Sequence, residues 1–306
     1  MSRPSVVVVG SSNTDMILRV ERIPVRGETI LGGAFATAAG GKGANQAVGA
    51  ARAGGKVALV ARLGRDMFGD QALAGFARDG IDVTQVVRDD RFPSGVAFIF
   101  VASDGENSIG VASGANARLT PGDVRRAQNV FSHAKVVVAQ LEVPLAAVTA
   151  AAVSAEKAGA QFILNPAPAC AVPDALLRRV TVLTPNETEA ELLTGIRVVD
   201  EASASKAAAR LRRRGARNVI VTLGSKGAWV ATERGETMIA GFRVKTVDTT
   251  AAGDIFNGAL AVALAEGQPL ERAAQFANAA GALSVTRLGA QDSAPNRRQI
   301  ERLLAR

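Results

Sequence analysis

No tyrosine occurs among the 306 residues, and histidine, cysteine and tryptophan occur once each. A single cysteine, Cys170, excludes an internal disulfide and agrees with a reducing compartment. With no cluster of other ligands around it, Cys170 reads as a structural residue. His133 sits in Ser132-His133-Ala134, ahead of an apolar run, and reads as a loop residue. A histidine-rich metal site or a Ser-His-Asp hydrolase therefore lacks parts. Trp229 reads as core. No apolar run reaches the length of a membrane span, and Met1-Ser2-Arg3-Pro4-Ser5 leads straight into an apolar strand without a signal-peptide pattern. A cytoplasmic protein without membrane association is expected. Aromatics make up 4% of residues, which argues against nucleic-acid binding despite the net charge of +8. The basic triplet Arg212-Arg213-Arg214 closes a helical run, where cations suit the helix dipole.

What is present is a soluble globular composition, 48% hydrophobic and 21% charged. Val6 to Val9 is a short, wholly apolar run, and further strand candidates stand at Val57 to Ala61, Val136 to Val138, Phe162 to Leu164, Val180 to Leu183 and Val219 to Thr222. Such runs suit strands buried on both faces. Helical pattern follows them, at Ala44 to Ala53, Asp70 to Arg78, Leu145 to Ala158 and Ala202 to Arg214. The alternation predicts an α/β fold with a mostly parallel sheet covered on both faces. Segments at about 13–37 and 94–113 break the rhythm and predict a small separate β-sheet placed as a lid. No linker or internal repeat divides the chain, so one domain over residues 1–306 is expected.

Polar or glycine-rich clusters stand where these strands end, the edge at which open α/β sheets bind ligands. They are Gly10-Ser11-Ser12-Asn13-Thr14-Asp15, Gln140-Leu141-Glu142, Thr184-Pro185-Asn186-Glu187-Thr188-Glu189 and Thr222-Leu223-Gly224-Ser225-Lys226-Gly227. Gly40-Gly41-Lys42-Gly43-Ala44-Asn45 opens a helix, with spacing that fits neither a P-loop nor a dinucleotide fingerprint. Gly40 to Asn45, Gln140 to Glu142 and Thr184 to Glu189 have ordinary alternatives as a structural turn, a loop cap and a helix cap. Acidic groups near Glu187 and Glu189 could instead hold Mg²⁺ through water.

The stretch Asp248-Thr249-Thr250-Ala251-Ala252-Gly253-Asp254 precedes an apolar helix beginning at Ile255, and Phe242 to Val247 before it has the alternation of a strand. A helix mouth offers free amides and positive potential, and the small side chains of Ala251, Ala252 and Gly253 let an anion approach. Asp254 reads as a capping carboxylate or as a functional one.

Together these blocks resemble the PfkB family of sugar kinases over essentially the whole chain, and within it the ribose-phosphorylating branch. The resemblance rests on Gly40 to Ala47 with Gly54 and Gly64, on Asp248 to Asp254 with Gly258-Ala259, and on the clusters above together with Leu164-Asn165-Pro166-Ala167-Pro168 and Gly289-Ala290-Gln291. It implies a three-layer αβα sandwich with a β lid, and ATP-dependent phosphorylation of D-ribose at its 5-hydroxyl. Asp254 would be the base, with the Ala251-Ala252-Gly253 turn and its amides facing the transferring phosphoryl. Asn13, Asp15, Gly41, Lys42, Gly43, Asn45 and Glu142 would bind the sugar. Asn186, Thr222, Gly224, Ser225, Gly227, Gly253 and Asn278 would line the ATP site, and Glu189 would arrange water around Mg²⁺. Asp248, Thr250, Ser284, Arg287, Gly289 and Ser293 would form a K⁺ loop. Pairing of lids implies a homodimer. The chain departs from the family in having Ala251 where many relatives have Gly and Ile255 where many have Thr. A kinase for deoxyribose, fructose or a nucleoside, and a non-catalytic sugar sensor, are the alternatives. Asn13, Lys42 and Glu142 favour a small polyhydroxylated sugar over a nucleoside, which would want an apolar slot for its base.

Overall fold

The computed structural model describes residues 5–305. Met1 to Pro4, part of the N-terminus read above as leaderless, and Arg306 lie outside them. From the N-terminus, β1 (Val6–Val9) leads into β2 (Asn13–Arg19) and β3 (Ala34–Gly40), and α1 (Lys42–Arg52) returns to β4 (Val57–Val60). Next come β5 (Arg62–Gly64), α2 (Met67–Arg78), β6 (Val87–Asp89), β7 (Gly95–Val101), β8 (Asn107–Ala112), α3 (Pro121–Arg126) and α4 (Gln128–Phe131). Regular alternation follows: β9 (Val136–Ala139), α5 (Leu145–Ala158), β10 (Gln161–Leu164), α6 (Asp174–Leu177), β11 (Val182–Leu183), α7 (Glu187–Thr194), α8 (Glu201–Arg213) and β12 (Asn218–Thr222). The chain ends with β13 (Gly227–Thr232), β14 (Gly235–Ala240), α9 (Ala252–Ala265), α10 (Leu270–Ser284) and α11 (Arg297–Leu304).

An eight-stranded sheet in the order β14-β13-β12-β11-β10-β9-β1-β4 forms the centre. Its pairings are parallel from β4 to β12, while β13 and β14 add antiparallel at one edge. The pleat of β1 divides the core in two: Val6 and Val8 face one apolar cluster and Val7 and Val9 the other. Helices α1, α9 and α10 cover the first face, and α5 and α8 the second. All four valines are fully buried, each contributing about 1.5–3 kcal/mol of transfer free energy. The α/β expectation therefore holds, with helices on both faces of a mostly parallel sheet.

Helix α9 is buried over its whole length from Asp254 to Ala265, as an apolar helix between two others must be. Gly258 lets α1 approach it: a Cβ there would lie 2.5 Å from the Gln46 carbonyl oxygen and 2.6 Å from the Ala50 nitrogen. This close packing carries residues of α1 to the mouth of α9.

A second, four-stranded sheet has the order β3-β2-β7-β8. Its register places Asn13 between Gly40 and Gly95, and Asp15 between Ala38 and Ala97. Asn13 and Asp15 thus share one face, flanked by small residues that leave room above them.

Two expectations are corrected. Phe242 to Val247 is not a strand, because β14 is the last strand of the sheet. The Val247 and Asp248 amides instead donate to the Val285 carbonyl at 2.7 and 3.2 Å, tying this segment to the end of α10. Cys170 is exposed rather than packed, since residues 165–173 run as a loop.

Candidate active site

Most of the predicted residues converge where β1, β9, β11 and β12 end. The turn into α1 passes beneath the segment that leaves β1, and only glycine fits there. Gly41 has φ 89°, and a Cβ on it would lie 2.6 Å from the Asn13 nitrogen. A Cβ on Gly43 would meet the Ser11 nitrogen at 2.5 Å. The start of α1 is thereby packed against the Gly10 to Asn13 segment. Glu142, after β9, accepts from the Lys42 amide at 2.9 Å and from the Ser11 hydroxyl. Asn13 is fixed by Asn116, whose Nδ2 donates to its Oδ1 at 2.7 Å.

Asp254 lies in the first turn of α9, with 6% of its surface exposed. It makes no cap for the helix. Its Oδ2 accepts from Asn45 Nδ2 and its Oδ1 from Gln46 Nε2, both at 3.0 Å. The carboxylate therefore points away from its own helix and across to α1. The turn before it is formed by Ala251 in the left-handed conformation (φ 59°, ψ 12°), the only non-glycine residue with positive φ among those described. For an alanine this conformation costs about 1–2 kcal/mol; the Ala252 amide closes the turn by donating to the Thr249 carbonyl at 3.2 Å, and Gly253 stands exposed at the helix mouth.

Three carboxylates, Asp254, Glu142 and Glu189, act on one cation, Lys42, and a fourth, Asp15, lies near Glu142 and Asp254. Burial, then the neighbouring Glu142 and Asp254, raise Asp15 to about 6. Burial also pushes Asp254 up, against the pull of Lys42 and the Asn45 and Gln46 amides. The helix mouth thus does not by itself hold this carboxylate ionised; Lys42 and the amides must oppose desolvation. Burial lowers Lys42, but Asp254, Glu142 and Glu189 outweigh it and leave the ammonium raised. Burial raises Glu189 too, with Lys42 opposing.

Asn186 and Glu189 form a reciprocal cap on α7, so the helix-cap alternative holds for both geometrically. Thr222 bridges to Asn186, placing the Gly224, Ser225 and Gly227 turn next to that cap. Asn278, on α10, donates to the Ile239 and Ala240 carbonyls of β14 at 3.1 and 3.4 Å. Ala240 pairs with Gly227, so Asn278 borders the same turn. Among the described residues no three His, Cys, Asp or Glu side chains converge to hold a metal. The lone Glu189, with both oxygens already accepting from Asn186, fits only a Mg²⁺ that keeps most of its water.

The Asp248 segment forms a second cluster beside the α9 mouth. Asp248 Oδ1 accepts from the Thr250 amide and hydroxyl at 2.9 and 2.6 Å, and Oδ2 from the Gly289 amide at 2.9 Å. These bonds hold the Asp248 carboxyl below its usual range although burial opposes them. Ser284 and Ser293 are buried nearby, and the Arg287 amide donates to the Ser284 carbonyl at 3.2 Å. The Asp248 carboxylate is thus held by three donors beside the buried hydroxyls of Ser284 and Ser293.

Sequence reasoning assigned no role to a buried amide chain behind Asp254. Gln46, Gln140, Asn165 and Asn257 belong to it. The available signal was Gln46 itself, a long polar residue on an Ala-rich helix.

Residues 3–297 match the pfkB family carbohydrate kinase profile. The chain is 45% identical over 297 residues to the ribokinase of Haemophilus influenzae, covering 97% of each. It is 39% identical over 302 residues to the deoxyribokinase of Salmonella typhi, covering 98% of each. The structure of Arabidopsis thaliana ribokinase complexed with ribose and ATP matches with a TM-score of 0.93 and 35% identity, covering 99% of both chains.

Proposed function

Because this chain belongs to the pfkB family of carbohydrate kinases, we propose that it transfers the γ-phosphoryl group of ATP to the 5-hydroxyl of D-ribose, giving D-ribose 5-phosphate and ADP. The observation that carries this reading is the Asp254 carboxylate, buried at the mouth of α9 and held by two amide donors from α1 beside Lys42. Asn13, Asp15, Lys42, Asn45 and Glu142 bind the sugar hydroxyls, on the small-residue floor formed by Gly40 to Gly43. Asp254 accepts the proton of the 5-hydroxyl as that oxygen attacks the γ-phosphorus and the bond to ADP breaks. The Gly253 amide, carried by the Ala251 turn, stabilises the charge on the transferring group, joined by the Ala252 amide when that donor turns from the Thr249 carbonyl to the phosphoryl oxygen. Phosphoryl transfer asks mainly for positioning and charge stabilisation, which this arrangement supplies.

Asn186, Asn278 and the turn from Thr222 to Gly227 hold the nucleotide. Glu189 would hold Mg²⁺ through water, and the ion would supply neutralisation of phosphate charge. Asp248, Thr250, Ser284, Arg287, Gly289 and Ser293 would hold K⁺. The small sheet acts as a lid over the sugar. On it Phe35, Phe98, Ile109 and Val111 are each more than half exposed, which favours a homodimer formed through this sheet. A cytoplasmic location agrees with the lone cysteine, and no helix among the described residues is long and apolar enough to cross a membrane.

The test is ADP release measured over a panel of D-ribose, 2-deoxy-D-ribose, D-fructose and nucleosides. D-ribose should give the highest kcat/KM. The similarity to a deoxyribokinase favours 2-deoxyribose as the second reading, and a higher kcat/KM for that sugar would establish it. Asp254→Asn should lower kcat by about 10²–10⁴ while sugar and ATP still bind. Turnover near the parent rate would remove Asp254 as the base.

A further inference from the structure

The geometry points to Gln46 as a positioning residue for Asp254, at the branch point of a polarised chain of buried side-chain amides that runs between the ends of β9 and β11. The inference rests on Asp254 being the base. Gln46 has no exposed surface, so it reaches the substrate only through its neighbours. Its Nε2 donates at 3.0 Å to both Asp254 Oδ1 and Asn165 Oδ1, and its Oε1 accepts from Gln140 Nε2 at 2.6 Å. Every polar atom of the Gln46 side chain is therefore committed.

The direction of the chain is set at one end by a group that cannot reverse. Asn165 Nδ2 donates to the Thr184 backbone carbonyl at 3.2 Å, and a carbonyl can only accept. Asn165 must then present its oxygen to Gln46, and Gln46 must answer with its NH₂ group. That same NH₂ group faces Asp254. Gln140 in turn directs its NH₂ at the remaining Gln46 oxygen. Reversing Gln46 would aim its oxygen at both the Asp254 carboxylate and the Asn165 oxygen and set its NH₂ against that of Gln140. Gln140 Oε1 finds no protein donor and lies against Gly10, where a Cβ would be 2.1 Å away. The polarity is kept even though this buried acceptor goes unmatched.

For the base the consequence is twofold. With Asn45 on Oδ2 and Gln46 on Oδ1, the plane of the carboxylate is fixed between two donors from one helix. Both donors also favour the ionised form, against a burial that favours the proton. Asn45 is poised to touch the sugar, whereas Gln46 acts only through Asp254.

The experiment measures the pH dependence of kcat by ADP release at saturating D-ribose and ATP for the full-length enzyme and its Gln46→Met, Gln46→Glu and Gln140→Met variants. Gln46→Met removes the donor at similar length, and its acid limb should move up by about 1–2 pH units, from the usual strength of a hydrogen bond to a charged group. The KM for D-ribose should stay within about threefold, because the lost interaction belongs to the reacting step. Gln46→Glu sets a second carboxyl against Asp254 and should move the limb further. Gln140→Met, which does not contact Asp254, should move it in the same direction by less, and it keeps the test open if the Gln46 variants fail to fold. Folded variants that lose kcat with an unmoved acid limb, or that lose only thermal stability, would overturn the positioning role. Asp254→Asn, run in parallel, separates the two claims. Retained turnover there removes the base and this inference with it, while an inactive Asp254→Asn beside Gln46 and Gln140 variants of parental pH profile removes Gln46 alone.

Discussion

Gly258→Ala tests whether the spacing between α1 and α9 sets the catalytic geometry. The added methyl would sit 2.5 Å from the Gln46 carbonyl oxygen and 2.6 Å from the Ala50 nitrogen, both backbone atoms of α1, where ordinary contact begins at 3.4 Å. No side-chain rotation relieves such an overlap, so α1 and α9 must separate by about 0.9 Å at this point, the difference between the contact and overlap distances. Overpacking of this kind costs about 1–3 kcal/mol of stability. The larger consequence falls on chemistry, because Asn45 and Gln46 would retreat from Asp254 by a comparable distance. A displacement near 1 Å at reacting groups can lower the rate about 10²-fold. ADP release at saturating substrates should show that fall in kcat, while thermal unfolding shows a variant that is still folded at the assay temperature. A folded Gly258→Ala enzyme with parental kcat would refute the dependence on helix spacing.

The raised Asp15 gives a pH dependence in sugar binding. If the ionised carboxylate accepts sugar hydroxyls, KM for D-ribose should rise as pH falls through about 6, and Asp15→Asn should bind weakly at every pH without that limb. Stability has the opposite sign: a carboxyl raised from 3.8 to about 6 holds its proton more tightly folded than unfolded. The sugar-free protein should thus lose stability as pH rises across that interval, by at most about 3 kcal/mol before solvent screening, as thermal unfolding against pH would read. Replacing K⁺ by Na⁺ should lower kcat, and Asp248→Ala should remove the difference between the two salts; equal rates in both salts with the parent enzyme would dismiss the cation loop. Light scattering should give the mass of a dimer, and charged substitutions at Phe98 and Ile109 should give a monomer.

The sheet was legible because strands buried on both faces must be apolar throughout, as Val6 to Val9 and Val136 to Val138 are. The small sheet was legible by its break in the βα rhythm. Phe242 to Val247 misled because alternation marks an extended chain, whereas a strand also requires a neighbour, and β14 already ends the sheet. The polar clusters at strand ends marked the site, but not which oxygens meet. Asn45 and Gln46 lie more than 200 residues from Asp254 in sequence, and their contact depends on two helices crossing at Gly258. The Asp254 carboxylate reads as a cap from its position in the first turn. Only the direction in which it points decides otherwise.

The Asp248 turn joins the proposed cation loop to the mouth of α9. Its carboxylate grips Gly289 at the end of the α10 segment, and six residues later the same short chain delivers Asp254. A cation seated against Asp248 and a phosphoryl group seated at the α9 mouth would then act on one stiff piece of backbone. Coupling of this kind is reciprocal: whatever factor the cation adds to phosphoryl affinity, the bound phosphoryl group must add to cation affinity. If potassium raises nucleotide affinity, its half-saturating concentration must fall as ATP rises.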